Sequence, residues 1–176
     1  MRGSGNLLAT RFNLGVRYIP GGVIARARLR TTLMYRLNQD LQVGVEYNPL
    51  AEEVGPLVNY RAIRETRHRP ALSFGTSSDR IGTPSGRAYY GTLSKDLEPY
   101  VKQPVSVYFS ALYGTWDDEF VFPFGANFRL GRQWTFSPQY DGHASHGLLT
   151  YSWGRYSVTG MLIRWRHPGV AFNLGF

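Results

Sequence analysis

The sequence predicts an all-β protein, a closed antiparallel up-and-down transmembrane β-barrel of about twelve strands. Apolar residues alternate with polar or small ones along almost the whole chain. Aromatic residues make up 15% of the 176 residues and glycines number 20, which favours strands and tight turns over helices. No stretch carries a 3.6-residue apolar period, and no apolar run reaches the roughly 18–20 residues of a membrane helix. A transmembrane barrel is expected to look hydrophilic on average, because each strand mixes a lipid face with a lumen face.

The elements follow from the alternation. Residues 7–18 set Leu8, Phe12, Leu14, Val16 and Tyr18 against Ala9, Arg11, Asn13, Gly15 and Arg17. Residues 23–37 set Val23, Leu29, Leu33 and Tyr35 against Arg26, Arg28, Arg30 and Arg36, so four arginines share one face of one strand. In 41–48, Leu41, Val43, Val45 and Tyr47 oppose Gln42, Gly44, Glu46 and Asn48. Strands at 57–65, 71–78 and 87–95 have a pattern blurred by Gly, Ser and Thr. The alternation returns at 104–114, with Val105, Val107, Phe109, Ala111 and Tyr113 on one side. At 120–130, Phe124, Ala126, Phe128 and Leu130 oppose Gly125, Asn127 and Arg129, and at 134–140, Trp134, Phe136, Pro138 and Tyr140 oppose Thr135, Ser137 and Gln139. Segments 147–153, 156–166 and 169–176 complete the set. Strands of about 10 residues and connections of about 5 account for the chain as one domain over 6–176, with residues 1–5 read as a leader.

The connections fall on two rims. "PLAEEVG" (49–55), "DRIGTPSG" (79–86), "TWDDE" (115–119) and "DGHASH" (141–146) form the longer class, and "NQD", "RHRP", "GRQ" and "GR" the shorter one. Long loops on one rim and short turns on the other are expected of an outer-membrane barrel. "PGG", "HP" and the long "KDLEPYVKQ" (95–103) depart from that division.

The chain ends on "GVAFNLGF", with Val170, Phe172, Leu174 and Phe176 at every second position. This resembles the C-terminal signature of bacterial outer-membrane β-barrels, a terminal aromatic preceded by alternating apolar residues. The resemblance implies location in the bacterial outer membrane, an assembly signal at these four residues, and the barrel assembly machinery, lipid and lipopolysaccharide as partners. Trp134, Trp153 and Trp165, near strand ends, fit interfacial anchors. Residues 70–97, through Gly75, Asp79, Gly82, Thr83, Tyr89, Tyr90, Ser94 and Lys95, resemble a segment of YjbH-like outer-membrane proteins, a family associated with exopolysaccharide production and much longer than this chain.

Lys and Arg number 20 against 12 Asp and Glu, a net charge of +8, and all but Lys95 and Lys102 of the basic residues are Arg. Arginine on strands cannot face lipid, where each costs about 2–4 kcal/mol at the midplane. The expected lumen-lining set is therefore Arg11, Arg17, Arg26, Arg28, Arg30, Arg36, Glu46, Arg61 and Arg129. Such a lumen either attracts an anionic solute or is plugged by Arg pairing with carboxylates such as Glu46 and Glu65. Nucleic acid is not an expected partner, because the arginines alternate with lipid-type residues instead of forming an open basic surface.

The expected function is a narrow pore, or the membrane component of an envelope or polysaccharide export system, without enzymatic activity, cofactor or metal. Two alternatives remain open. One is an outer-membrane lipid hydrolase using His143 and Ser145, with Asp141 the one acid placed to orient the histidine; the other is a soluble ligand-binding barrel. Asp141, His143 and His146 make a weak metal set, and Asp117, Asp118 and Glu119 form a run suited to divalent cations or a solvated loop.

Overall fold

The computed structural model describes residues 10–20, 28–79 and 83–176. Arg26 and Gly82 lie outside the described residues. The strands are β1 (Phe12–Tyr18), β2 (Leu29–Arg36), β3 (Leu41–Asn48), β4 (Glu53–Ile63), β5 (Ala71–Ser78), β6 (Arg87–Asp96) and β7 (Val105–Gly114). Then follow β8 (Glu119–Val121), β9 (Phe124–Leu130), β10 (Trp134–Tyr140), β11 (Ser145–Trp153), β12 (Tyr156–Ile163) and β13 (His167–Gly175). Neighbouring strands pair antiparallel, β6 pairs with β7 and β13 with β1, so the ring closes. β8 and β9 both pair with β7 and act as two halves of one wall position, which makes the barrel twelve-stranded. The expected single strand over 120–130 is thus broken at Phe122–Pro123. Proline has no N–H to give the ladder, yet its carbonyl accepts the Ser110 N–H at 2.8 Å and holds the wall together across the break.

The alternation sets the facing. On β1, Asn13, Gly15 and Arg17 pair across with Gly175, Asn173 and Ala171, and Phe12, Leu14, Val16 and Tyr18 take the opposite face. On β2, Arg30, Thr32 and Met34 stand opposite Arg17, Gly15 and Asn13 on the inner register. Many buried residues are polar, among them Glu46, Asn48, Ser110, His146, Ser157 and Thr159, whereas Phe109, Phe124, Leu130, Phe172 and other large apolar side chains are exposed. Apolar residues are buried too, Ile19, Met161 and Ile163 as a small cluster and Leu57, Ala71, Ala88 and Val121 apart from it. A soluble barrel would turn its apolar faces inward; here the polarity is inverted.

Aromatic rings gather along the outer wall near both rims. Near the rim that holds the start of β1 and the end of β13, here the terminal rim, Trp134, Tyr151, Trp153, Tyr156 and Phe172 form a continuous row with centroid separations of 4.8, 5.5, 5.7 and 6.1 Å. Trp165 lies at the other, distal rim, in the turn between β12 and β13.

Loop lengths divide the rims less than expected. β4 begins at Glu53, so the predicted loop 49–55 shrinks to a 3-10 turn at Pro49–Ala51 with Glu52 in the left-handed region. The terminal rim carries two long connections, 64–70 and 97–104, the second containing a helical turn at Glu98–Val101. Its tightest turn is Gly154–Arg155, where Gly154 has φ 55, a sign of φ that a two-residue hairpin loop needs at its first central position.

Candidate functional site: the barrel interior

Residues from opposite sides of the ring, Arg17 on β1, Arg30 on β2, Ser77 on β5, Tyr90 on β6, Tyr108 on β7 and Gln139 on β10, border one cavity of about 240 Å³. Strands that far apart around a closed wall share a cavity only inside it. The inner register brings these side chains there, with Asp79, Asp141 and His146 at its distal side.

Glu46, 1% exposed, is the centre of the charge network. Arg30 donates to it through Nε at 2.9 Å and through Nη2, and Nη2 also donates to Ser77 Oγ at 2.9 Å. Arg87 Nη1 donates to the other carboxylate oxygen at 3.2 Å. Arg87 belongs to the start of β6 and crosses Gly55 of β4 to reach Glu46; a Cβ on Gly55 would stand 1.4 Å from Arg87 Nη2. Gly55 is therefore small because a guanidinium lies over it. Arg28 Nε is buried with no hydrogen-bond partner among the described residues.

The remaining predicted lumen residues are spread out. Arg17 joins the cavity, whereas Arg11, Arg36, Arg61 and Arg129 sit at the terminal rim on the inner register. Arg129 there binds Glu98 and lies 3.9 Å from Asp96. Arg61 borders an open cleft of about 540 Å³ with Asn38, Asp40 and Arg64. The predicted partner Glu65 lies outside this network and pairs with Lys95 at 3.1 Å. Sequence reasoning missed Arg87, Asp79 and Asp141 as interior groups, because each sits in or beside a loop. Glu53 shares the inner register at the start of β4, so Arg17, Arg28, Arg30 and Arg87 are matched by the carboxylates of Glu46, Glu53, Asp79 and Asp141, and the excess positive charge that the sequence expects is not concentrated beside Glu46.

A second buried unit joins two distal loops. The Arg164 N–H donates to His146 Nδ1 at 3.0 Å, so Nδ1 carries no proton, and the neutral ring donates from Nε2 to Asp141 Oδ2 at 2.8 Å. Asp141 also accepts the N–H groups of His143 and Ala144 at 2.9 and 2.8 Å. Burial alone would raise the Asp141 carboxyl pKa, but the hydrogen bonds from His146 and from the Ala144 and His143 N–H groups together hold it below the ordinary value. Both ring nitrogens of His146 are thereby engaged. His143 Nε2 lies 2.8 Å from Glu119 Oε1, and Ser145 takes the outer register while His146 takes the inner one. Among the described residues no three His, Asp or Glu side chains converge as a metal site.

Val170, Phe172 and Leu174 lie on the outer face of β13, opposite Tyr18, Val16 and Leu14. Phe176 exchanges backbone hydrogen bonds with Phe12 at 2.8 and 3.0 Å, and its ring stacks on that of Phe12 with centroids 5.4 Å apart.

No family model matches the chain, and no curated protein matches it. Among solved structures, it is similar to the KdgM porin, with a TM-score of 0.62 and 12% identity over 93% of this chain and 99% of the other. It is also similar to the NanC porin in a rhombohedral crystal form, with a TM-score of 0.54 and 12% identity over 94% of this chain and 98% of the other. At that identity the likeness is one of fold: the chain is a porin-like, closed twelve-stranded antiparallel β-barrel.

Proposed function

We propose that this chain is a bacterial outer-membrane porin, a narrow pore whose interior attracts anions. The observation that carries the reading is the pairing at Glu46. The most deeply buried carboxylate of the wall already holds two guanidinium groups, so Arg28 and the inner-register Arg36 and Arg61 of the terminal rim add positive charge that it does not neutralise. The exposed apolar belt with aromatic rings toward both rims supports a lipid-facing exterior, and the two similar solved structures are named as porins.

Reconstitution into planar bilayers tests this. In a salt gradient the reversal potential should favour chloride over potassium, because fixed positive charge concentrates anions in a narrow lumen. Arg28→Glu with Arg36→Glu and Arg61→Glu spares the Glu46 network and should move the preference toward cations. Cation selectivity of the unmodified protein overturns the charge argument. A barrel that inserts without conducting is plugged by its Arg–Glu network, and the reading becomes a membrane component of an envelope or polysaccharide export system, the association that the resemblance of 70–97 implies.

The reading includes assembly by the outer-membrane machinery through Val170, Phe172, Leu174 and Phe176, and contact with lipid and lipopolysaccharide. It includes no catalytic step. The hydrolase alternative needs a hydroxyl beside an imidazole, whereas both ring nitrogens of His146 are engaged by the Arg164 N–H and Asp141, and Ser145 takes the opposite face of the strand.

A further inference from the structure

We propose that the terminal rim is a basic collar that binds the phosphate of anionic phospholipid headgroups in the leaflet on that side. The acids of this rim are already engaged: Asp40 by Arg64 at 2.5 Å, Glu65 by Lys95 at 3.1 Å, and Glu98 and Asp96 by Arg129. The Arg64 hydrogen bond, the largest influence on Asp40, holds that carboxyl below its ordinary pKa and so keeps it anionic and occupied. Arg67, Arg69, Lys102, Arg132 and Arg155 are exposed, and none has an acidic partner among the described residues. The distal rim is mixed in charge, with Asp117, Asp118 and Glu119 in sequence and Arg164 and Arg166 in the β12–β13 turn.

Position selects the ligand. Arg132 stands two residues before Trp134, and Arg155 sits between Trp153 and Tyr156, in the turns directly beyond the aromatic row on the outer wall. Aromatic rows mark the headgroup level of a bilayer. A guanidinium just beyond one reaches lipid phosphate, and its planar fork suits two phosphate oxygens at once. A soluble polyanion would be drawn to the rim as a whole, whereas these two arginines flank the wall where the leaflet ends.

The inference rests on the membrane-spanning reading, and one experiment separates the two. The full chain with Trp116→Phe and Trp165→Phe, leaving Trp134 and Trp153 as the fluorophores, is refolded into phosphatidylcholine vesicles. Part of the lipid is replaced by phosphatidylcholine or phosphatidylglycerol brominated at shallow chain positions. Quenching by both lipids is expected, with phosphatidylglycerol favoured on the order of fivefold. The preference should shrink at about 1 M salt and fall toward unity in Arg132→Gln with Arg155→Gln. Equal quenching by the two lipids, or a preference unchanged in the double variant, overturns the collar. No quenching by either lipid overturns the membrane-spanning reading and the collar with it.

Discussion

Glu46 concentrates the residue-scale logic of the interior. Its carboxylate is desolvated and holds Arg30 and Arg87, and removing one partner of such a network leaves charge buried without compensation. Glu46→Gln should destabilise the barrel by about 2–4 kcal/mol, at the low end for buried pairs because the two Arg side chains keep 21% and 19% of their exposure. Urea unfolding from detergent micelles measures the loss, and the same variant should strengthen anion preference in bilayers. Gly55→Ala offers an independent check, since a methyl there occupies the place of the Arg87 guanidinium. It should mimic Arg87→Ala in stability and selectivity; a silent Gly55→Ala would separate Arg87 from Glu46. The Asp141 unit responds to acid. Its folded carboxyl titrates below the ordinary 3.8, so its stabilisation is complete above about pH 4 and is lost as pH falls through the lowered value. Protection of the His143 and Ala144 amides, taken relative to the intrinsic exchange rate at each pH, should therefore fall under acid in the unmodified protein. In Asp141→Asn that protection should be low already near neutrality, with a flattened pH dependence.

Facing is the property of each element that carries the most energy. Leu33 lies on the outer face of β2 and its neighbour Thr32 on the inner one, opposite Gly15. Leu33→Arg near mid-membrane should cost about 2–4 kcal/mol, whereas Thr32→Arg should be mild. Equal losses in reversible unfolding would mean the assigned faces are wrong. This facing is legible in the sequence because strand side chains alternate with a period of two, and lipid and lumen select opposite chemistries. β3, β5 and β10 fall on the bounds the alternation predicts. The pattern is silent where local chemistry overrides it. Pro49 starts a turn that ends early enough for Glu53 to begin β4, and Pro123 breaks a run that still alternates on either side. The network at Glu46 was half legible. Arg30 and Glu46 stand out as strand residues with inward parity, but Arg87 lies 41 positions from Glu46 and beside a loop. The one local sign of it is Gly55, a residue whose smallness has a reason only when the barrel closes.

At the scale of the whole molecule, the ring depends on one seam where the first and last strands meet, and that seam brings together residues farthest apart in sequence. β1 and β13 pair from Asn13↔Gly175 to Tyr18↔Val170, and Phe176 extends the contact with two backbone hydrogen bonds to Phe12 and a stacked ring. Phe176→Asp keeps the backbone bonds but puts a carboxylate where the Phe12 ring and the apolar exterior were. The lost stacking is worth about 0.5–1.5 kcal/mol, and desolvation of the new charge adds to it. A ring opened at its seam exposes two strand edges together, so this local loss should appear as a cooperative drop in the temperature at which the folded band converts to the unfolded one in detergent gels. Phe12→Ala should produce a similar drop, and the double variant should fall short of the sum, because the two rings share one contact. Strict additivity would remove the stack from the seam and leave closure to the backbone ladder alone.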